Sequence, residues 1–357
     1  MTNLDSLEEI RKFDEKGVLS SIKMLPDQAR EAWEEVNKLK IKKEFAGATN
    51  VVICGMGGSA LGGRVVDSLF EKKIRAPIEV FTQYYLPNYV NKNSLVIVSS
   101  YSGNTEETLS CFNDALKRGA RIFGITTNGK LAESLKKEKI DAYIFEPTYN
   151  PANKPRLAIA YSIFALLAFL NKTDFITISD QEINSAFDTL EECVKDFGPR
   201  ASSKQNLAKT MALELQNRIP VLVSSEHLVG VTHVFKNQLN ETAKTFSVSF
   251  DLPELNHHLL EGLGGPPKAK EVLHFLFYSS KLYSDRVQKR YPITQEVVDK
   301  NSVGYSLYNL RSKTKFEQVM ELLAFGSFVS FYLAFLNRVD PSEIPWVDFF
   351  KKKLSEG

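Results

Sequence analysis

At 357 residues the chain is long enough for two domains of ordinary size. Its 43% hydrophobic and 25% charged residues are those of a soluble globular protein, and 45 Lys and Arg against 43 Asp and Glu leave a formal charge of only +2. That balance disfavours nucleic acid or an anionic membrane as the main partner, and Cys54, Cys111 and Cys193, without CxxC pairing, predict neither a metal nor a disulfide framework and suit a reducing cytoplasm.

Residues 1–45 are polar and helix-like, without the apolar core of a secretory signal; DQAREAWEEVNKLK has apolar residues at roughly helical spacing. The period then changes. NVVICGMGG is a short apolar run ending in glycine, read as a buried parallel strand, and SALGGRVVDSLFEKK as its helix. PIEVFTQYYL is the next strand; SLVIVSSYSGN repeats the strand-then-small-residue pattern before the helix TEETLSCFNDALKRGA. RIFGITTN, KLAESLKKEK and DAYIFEP continue the alternation, which predicts a doubly wound parallel sheet. An apolar helix, RLAIAYSIFALLAFL, and the polar stretch NKTDFITISDQEI follow, and we place a domain boundary there, giving units 1–172 and 173–357. In the second unit RIPVLVSS and TFSVSFD read as strands, VGVTHVFKNQLNETAK as a helix and LPELNHHLLEGL as the start of another. The chain is expected to be α/β, two doubly wound parallel-sheet units with additional helices and a basic C-terminal tail. AIAYSIFALLAFL and FGSFVSFYLAFL, at 13 and 12 residues, are too short to span a bilayer and read as buried helices.

Gly55, Gly57 and Ala60 satisfy a loose GxGxxA dinucleotide fingerprint, but the second strand ends in VFTQYY, where Gln83 stands and no carboxylate is available to hold a ribose. No GK[ST] ending follows, so a nucleoside triphosphate is disfavoured. More informative is SSYSGNTEET, one strand later. Ser100, Ser102 and Thr105 crowd three hydroxyls at a strand end, Gly103 permits a tight turn, and a helix begins at Thr105. Hydroxyls and free helix N-terminal amides form an anion site without a cation. Two such loops at neighbouring strand ends suit one compact phosphate monoester; the plainer reading of each is a turn with an N-cap.

GMGGSALGG and SYSGNTEET resemble the paired loops of the sugar isomerase (SIS) domain. NKPRLAIAY, NETAK, PELNHH and VDP resemble one branch of it, the bifunctional phosphoglucose/phosphomannose isomerase family, from about residue 50 to the end. The resemblance implies an aldose–ketose isomerase that interconverts glucose 6-phosphate, and mannose 6-phosphate, with fructose 6-phosphate through a cis-enediol. No metal or cofactor is implied. The phosphate is expected at Gly57, Gly58, Ser59, Ser100, Ser102 and Thr105. Glu241 matches the family's base, although by spacing alone a surface pair with Lys244 competes. Arg156 would stabilise the enediolate; a cation at a helix start is otherwise slightly unfavourable. His257, next to His258, where the family more often carries Asn, and Lys351 would open the sugar ring. His257 is implied to reach a neighbouring subunit's site, making an obligatory homodimer with shared active sites. Ser342 falls where the family tends to carry Thr and would leave room for either C2 epimer. Two rival expectations are a non-catalytic sugar-phosphate-binding regulator and, through GxGxxA, an NAD-binding dehydrogenase.

Overall fold

The computed structural model describes residues 3–356. Helices α1 (Leu7–Phe13), α2 (Val18–Lys23) and α3 (Leu25–Lys38) precede the first sheet. There follow β1 (Asn50–Cys54), α4 (Gly58–Phe70), β2 (Ile78–Phe81), β3 (Ser94–Ser100), α5 (Glu106–Lys117), β4 (Arg121–Thr126), α6 (Gly129–Lys137) and β5 (Ala142–Ile144). Every pairing is parallel, in the order β2-β1-β3-β4-β5. Helices cover both faces, which is why β1 and β3 read as nearly unbroken apolar runs rather than as alternating ones. The chain steps outward in opposite directions from β1 and β3. Their C-terminal ends therefore flank the crevice where ligands lie in such sheets, and both glycine-bearing loops leave from these ends.

The apolar helix α7 (Ile159–Lys172) is buried along almost its whole length. It leads to α8 (Asp180–Phe197), opened by a Ser179–Glu182 capping box, and to α9 (Leu207–Leu215). The second sheet then forms from β6 (Ile219–Ser224), α10 (Val229–Glu241), β7 (Val248–Asp251), the single turn α11 (Ala269–Val272), β8 (Leu273–Ser279), α12 (Asp285–Lys300) and β9 (Gly304–Asn309). It is also wholly parallel, in the order β7-β6-β8-β9. The chain closes with α13 (Lys315–Asn337) and α14 (Pro345–Ser355). The two sheets join through helices: α4 packs on both α7 and α10, and α10 packs on α13. The α4–α10 approach is close enough that a Cβ on Gly230 would lie 2.1 Å from the Arg64 carbonyl oxygen.

Four local readings change. The helix expected from LPELNHHLLEGL is two isolated 3-10 turns, Glu254–His257 and Glu261–Gly264. Gly262, Gly264, Gly265 and Pro266 crowd the stretch and stop a helix from propagating. The strand in PIEVFTQYYL is only Ile78–Phe81. β9 was not foreseen; it is a largely exposed edge strand without an apolar run. The 12-residue apolar run near the C-terminus is the tail of α13, whose 23 residues are long and apolar enough to cross a membrane. Its apolar stretch is instead entirely buried among the other helices.

Candidate active site

The first glycine loop turns at Gly57, with φ 49° and ψ −128°, a conformation that only glycine adopts without strain. Gly58 then begins α4 and is fixed by space: its Cβ would lie 2.9 Å from the Pro155 carbonyl carbon. Ser59 Oγ accepts a hydrogen bond from the Tyr101 backbone N–H at 3.0 Å, so the first loop is tied directly to the second. Ser100 is buried and its Oγ lies 2.9 Å from Thr105 Oγ1. Thr105 is the N-cap of α5, but its hydroxyl serves this pair and not the helix amides, which leaves those amides available. Gly103, at φ 65°, presses on the loop before α6; a Cβ there would come within 1.7 Å of the Asn128 carbonyl oxygen. Behind Ser59 the cavity is only about 20 Å³, room for no more than a water. The space inward of these loops is closed to an anion, and the open side is the outer one, where Gly57 and Ser102 are exposed.

Arg156 lies in a single 3-10 turn, Pro155–Leu157, whose backbone abuts Gly58. Its guanidinium is 2% exposed. Nε donates to Thr242 Oγ1 at 3.2 Å, and Nη2 donates to the carbonyls of Pro341 and Ser342, both at 2.7 Å. Nη1 lies 3.9 Å from Glu241 Oε2. Burial lowers the Arg156 pKa, opposed by Glu241, Asp340, Glu343 and Asp348. Burial also pushes the Glu241 carboxyl above its ordinary value, opposed by Arg156, Lys244 and Lys351. The Glu241 side chain stays 30% exposed and lines an open cavity of about 680 Å³ with Asn237, Asn240 and Ser249. The arrangement is a partly desolvated carboxylate able to exchange a proton, beside a fixed cation whose other donors are all engaged.

Ser342 is 1% exposed, and its hydroxyl has no hydrogen-bond partner among the described residues. The surface pair of Glu241 with Lys244 does not form; Lys244 Nζ donates instead to the Glu241 backbone carbonyl at 2.8 Å. Lys351, on the exposed helix α14, makes no side-chain hydrogen bond among the described residues but is close enough to lower the Glu241 pKa. His257 is not brought to this cluster. Because α10 runs back from β6 to β7, Glu241 lies at the N-terminal edge of the second sheet and His257 beyond the C-terminal edge. The 13-residue helix between those edges separates them by roughly 20 Å. Thr242, Pro341 and Tyr101 escaped the sequence reading. Thr242 could have been found from its place in NETAK. Tyr101 staples the second loop by donating from Oη to Asn153 Oδ1 at 2.9 Å, a partner nothing local announces. Among the described residues no group of three or more His, Cys, Asp or Glu side chains is placed to hold a metal ion.

With this geometry in view, residues 204–354 match the family model described as the bacterial phospho-glucose isomerase C-terminal SIS domain. The chain is 32% identical over 344 residues to a bifunctional phosphoglucose/phosphomannose isomerase of Caldicellulosiruptor bescii, covering 95% of this chain and 99% of that one. It is 30% identical to the protein of the same name in Thermoplasma acidophilum, covering 93% and 100%. The fold is shared with a crystal structure of a hypothetical protein from Thermus thermophilus, with a TM-score of 0.78 at 17% identity over 98% of this chain and 93% of that one.

Proposed function

The chain belongs to the bifunctional phosphoglucose/phosphomannose isomerase family, and from that premise we propose how its residues interconvert glucose 6-phosphate, and mannose 6-phosphate, with fructose 6-phosphate. The phosphate sits against the amides at Gly57 and Gly58 and the hydroxyls of Ser59, Ser100, Ser102 and Thr105. Its binding energy orients the far end of the sugar. Glu241 removes the proton at C2 of the open aldose and returns it to C1, and Arg156 stabilises the enediolate between these steps. Glucose and mannose 6-phosphates lose the same stereocentre on forming the cis-enediol, so the small side chain of Ser342 allows return to either face. The observation that carries this reading is Arg156. Its backbone packs on the phosphate loop while its side chain meets the carboxylate and the Ser342 turn, linking the phosphate end to the reacting end.

Ring opening needs a group that passes a proton between the ring oxygen and the anomeric hydroxyl. We assign it to His257 of a second subunit, assisted by Lys351. The separation of His257 from Glu241 within one chain supports a homodimer with shared sites, and a cytoplasmic location belongs to the same reading. So does the apolar face of α14, where Trp346, Phe349 and Phe350 are exposed. The division into units 1–172 and 173–357 belongs to the same reading, since one parallel sheet falls in each.

The test is a coupled assay on both hexose 6-phosphates for Glu241→Gln, His257→Asn and their mixture. Each variant alone is expected to be inactive. Random re-pairing should restore about a quarter of wild-type activity, because half the dimers are mixed and each holds one intact site. No recovery would refute sharing, and full activity in Glu241→Gln would remove that residue as the base.

A further inference from the structure

Lys244 follows α10 by three residues and takes the left-handed conformation, φ 50°, which folds its side chain back over the helix end. There Nζ meets two backbone acceptors, the Glu241 carbonyl at 2.8 Å and the Asp340 carbonyl at 2.6 Å. The first is one of the carbonyls that a helix leaves unpaired at its C-terminus, where a cation is favoured. The second opens the 340–343 turn. Asp340 Oδ1 holds that turn closed by accepting from Ser342 N at 2.7 Å and Glu343 N at 3.3 Å. The same turn offers the Pro341 and Ser342 carbonyls to Arg156, and Arg156 returns to α10 through Thr242. Glu241, Thr242, Arg156, the turn and Lys244 thus form a closed ring of contacts, and Lys244 is the member that joins carboxylate helix to turn.

We propose that Lys244 is a positioning residue for the isomerisation: its ammonium clamps the end of α10 to the 340–343 turn and thereby fixes the Glu241 carboxylate relative to Arg156. This rests on Glu241 acting as the base. The groups facing the ammonium are Arg156 from the turn before α7, Glu241 from α10, and Asp340 and Glu343 from the 340–343 turn. Burial, then Arg156, lowers the Lys244 pKa to about 8 against the pull of the three carboxylates. A lysine with a depressed pKa loses its charge as pH rises through that value, so the clamp is fully charged below it and weakens above it.

The experiment measures kcat and KM from pH 6 to 10, together with melting temperature, for wild type, Lys244→Met and Lys244→Arg. In parallel, the Glu241 carboxyl is titrated by carbon NMR, with its signal assigned from Glu241→Gln. Lys244→Met is expected to lower kcat by about tenfold to a hundredfold, the usual result of a misplaced catalytic group, with KM little changed. It should also raise the Glu241 pKa, because one opposing cation is lost. Lys244→Arg should recover most of the kcat and carry the basic limb of the profile above that of wild type, since guanidinium does not titrate there. If Lys244→Met does not fold, the basic limb of Lys244→Arg decides alone. Wild-type kcat, pH profile and Glu241 titration in Lys244→Met, or an unmoved basic limb in Lys244→Arg, would overturn the proposal. Should Glu241→Gln prove fully active, the base assignment falls, while the NMR titration still decides whether Lys244 clamps the carboxylate.

Discussion

Gly58→Ala offers a direct probe of the link between the first glycine loop, the proposed phosphate site, and Arg156. A Cβ added at Gly58 lies 2.9 Å from the Pro155 carbonyl carbon and 3.0 Å from both Pro155 O and Arg156 N. Carbon atoms rest about 3.5–4.0 Å apart, so the Pro155–Leu157 turn and α4 must separate by roughly 0.5–1 Å. All three atoms are backbone, and no change of rotamer relieves the clash. The guanidinium rides on that turn, 3.9 Å from the carboxylate. Overpacking of this kind costs about 1–3 kcal/mol of stability, while a displacement near 1 Å costs about a hundredfold in rate. The assay is kcat/KM on glucose 6-phosphate beside urea unfolding, with Gly119→Ala as control. Gly119 has φ 64° but open space around it, and it follows the C-terminal end of α5, the end away from the second loop. The control should lose stability from backbone strain and keep its activity. A folded Gly58→Ala protein with kcat/KM within about threefold of wild type, or a control that loses as much, would refute the reasoning.

Glu241 titrates above its ordinary value in the fold. A carboxyl with a raised folded pKa binds more protons folded than unfolded, so its ionisation works against stability as pH rises past the unfolded value. Glu241→Gln should therefore melt no lower than wild type at pH 7, and the difference should shrink as pH falls below the ordinary glutamate range; a lower melting temperature at pH 7 would contradict this. With Glu241 as the proposed base, catalysis runs the other way, because a base must be ionised: activity should fall with acid at a pH above the ordinary glutamate value, and Arg156→Met should move that limb higher. Gly103→Ala places a Cβ on the Asn128 carbonyl in a left-handed turn, so KM for hexose 6-phosphate should rise at least tenfold, by about 1.4 kcal/mol or more of lost binding; an unchanged KM in a folded variant would exclude the loop from the phosphate site. Lys209 is fully buried and donates to the Pro199 and Ala201 carbonyls and to Asp5. Lys209→Met should cost about 1–3 kcal/mol by urea unfolding without changing kcat per folded molecule, because two half-buried carbonyls lose their donor.

What the sequence determined by itself is local. Apolar runs bounded by glycine specify parallel strands buried on both faces, and the positive φ at Gly57 and Gly103 follows from glycine being the residue that bears it cheaply. The identities of Ser59, Ser100 and Thr105 near strand ends were legible for the same reason, since β1 and β3 each run into a glycine-bearing turn that opens a helix. The tertiary structure decided which distant residues meet. Thr242 and Ser342 stand 86 and 186 residues from Arg156, and their meeting depends on the packing of α4, α7, α10 and α13, which no local pattern encodes. Topology likewise decided that Glu241 and His257, only 16 residues apart in sequence, lie at opposite edges of the second sheet. Burial sets the charge behaviour of Glu241, Arg156 and Lys244, and burial is a property of the assembled chain: the same NETAK on an isolated helix would be an ordinary solvated pair.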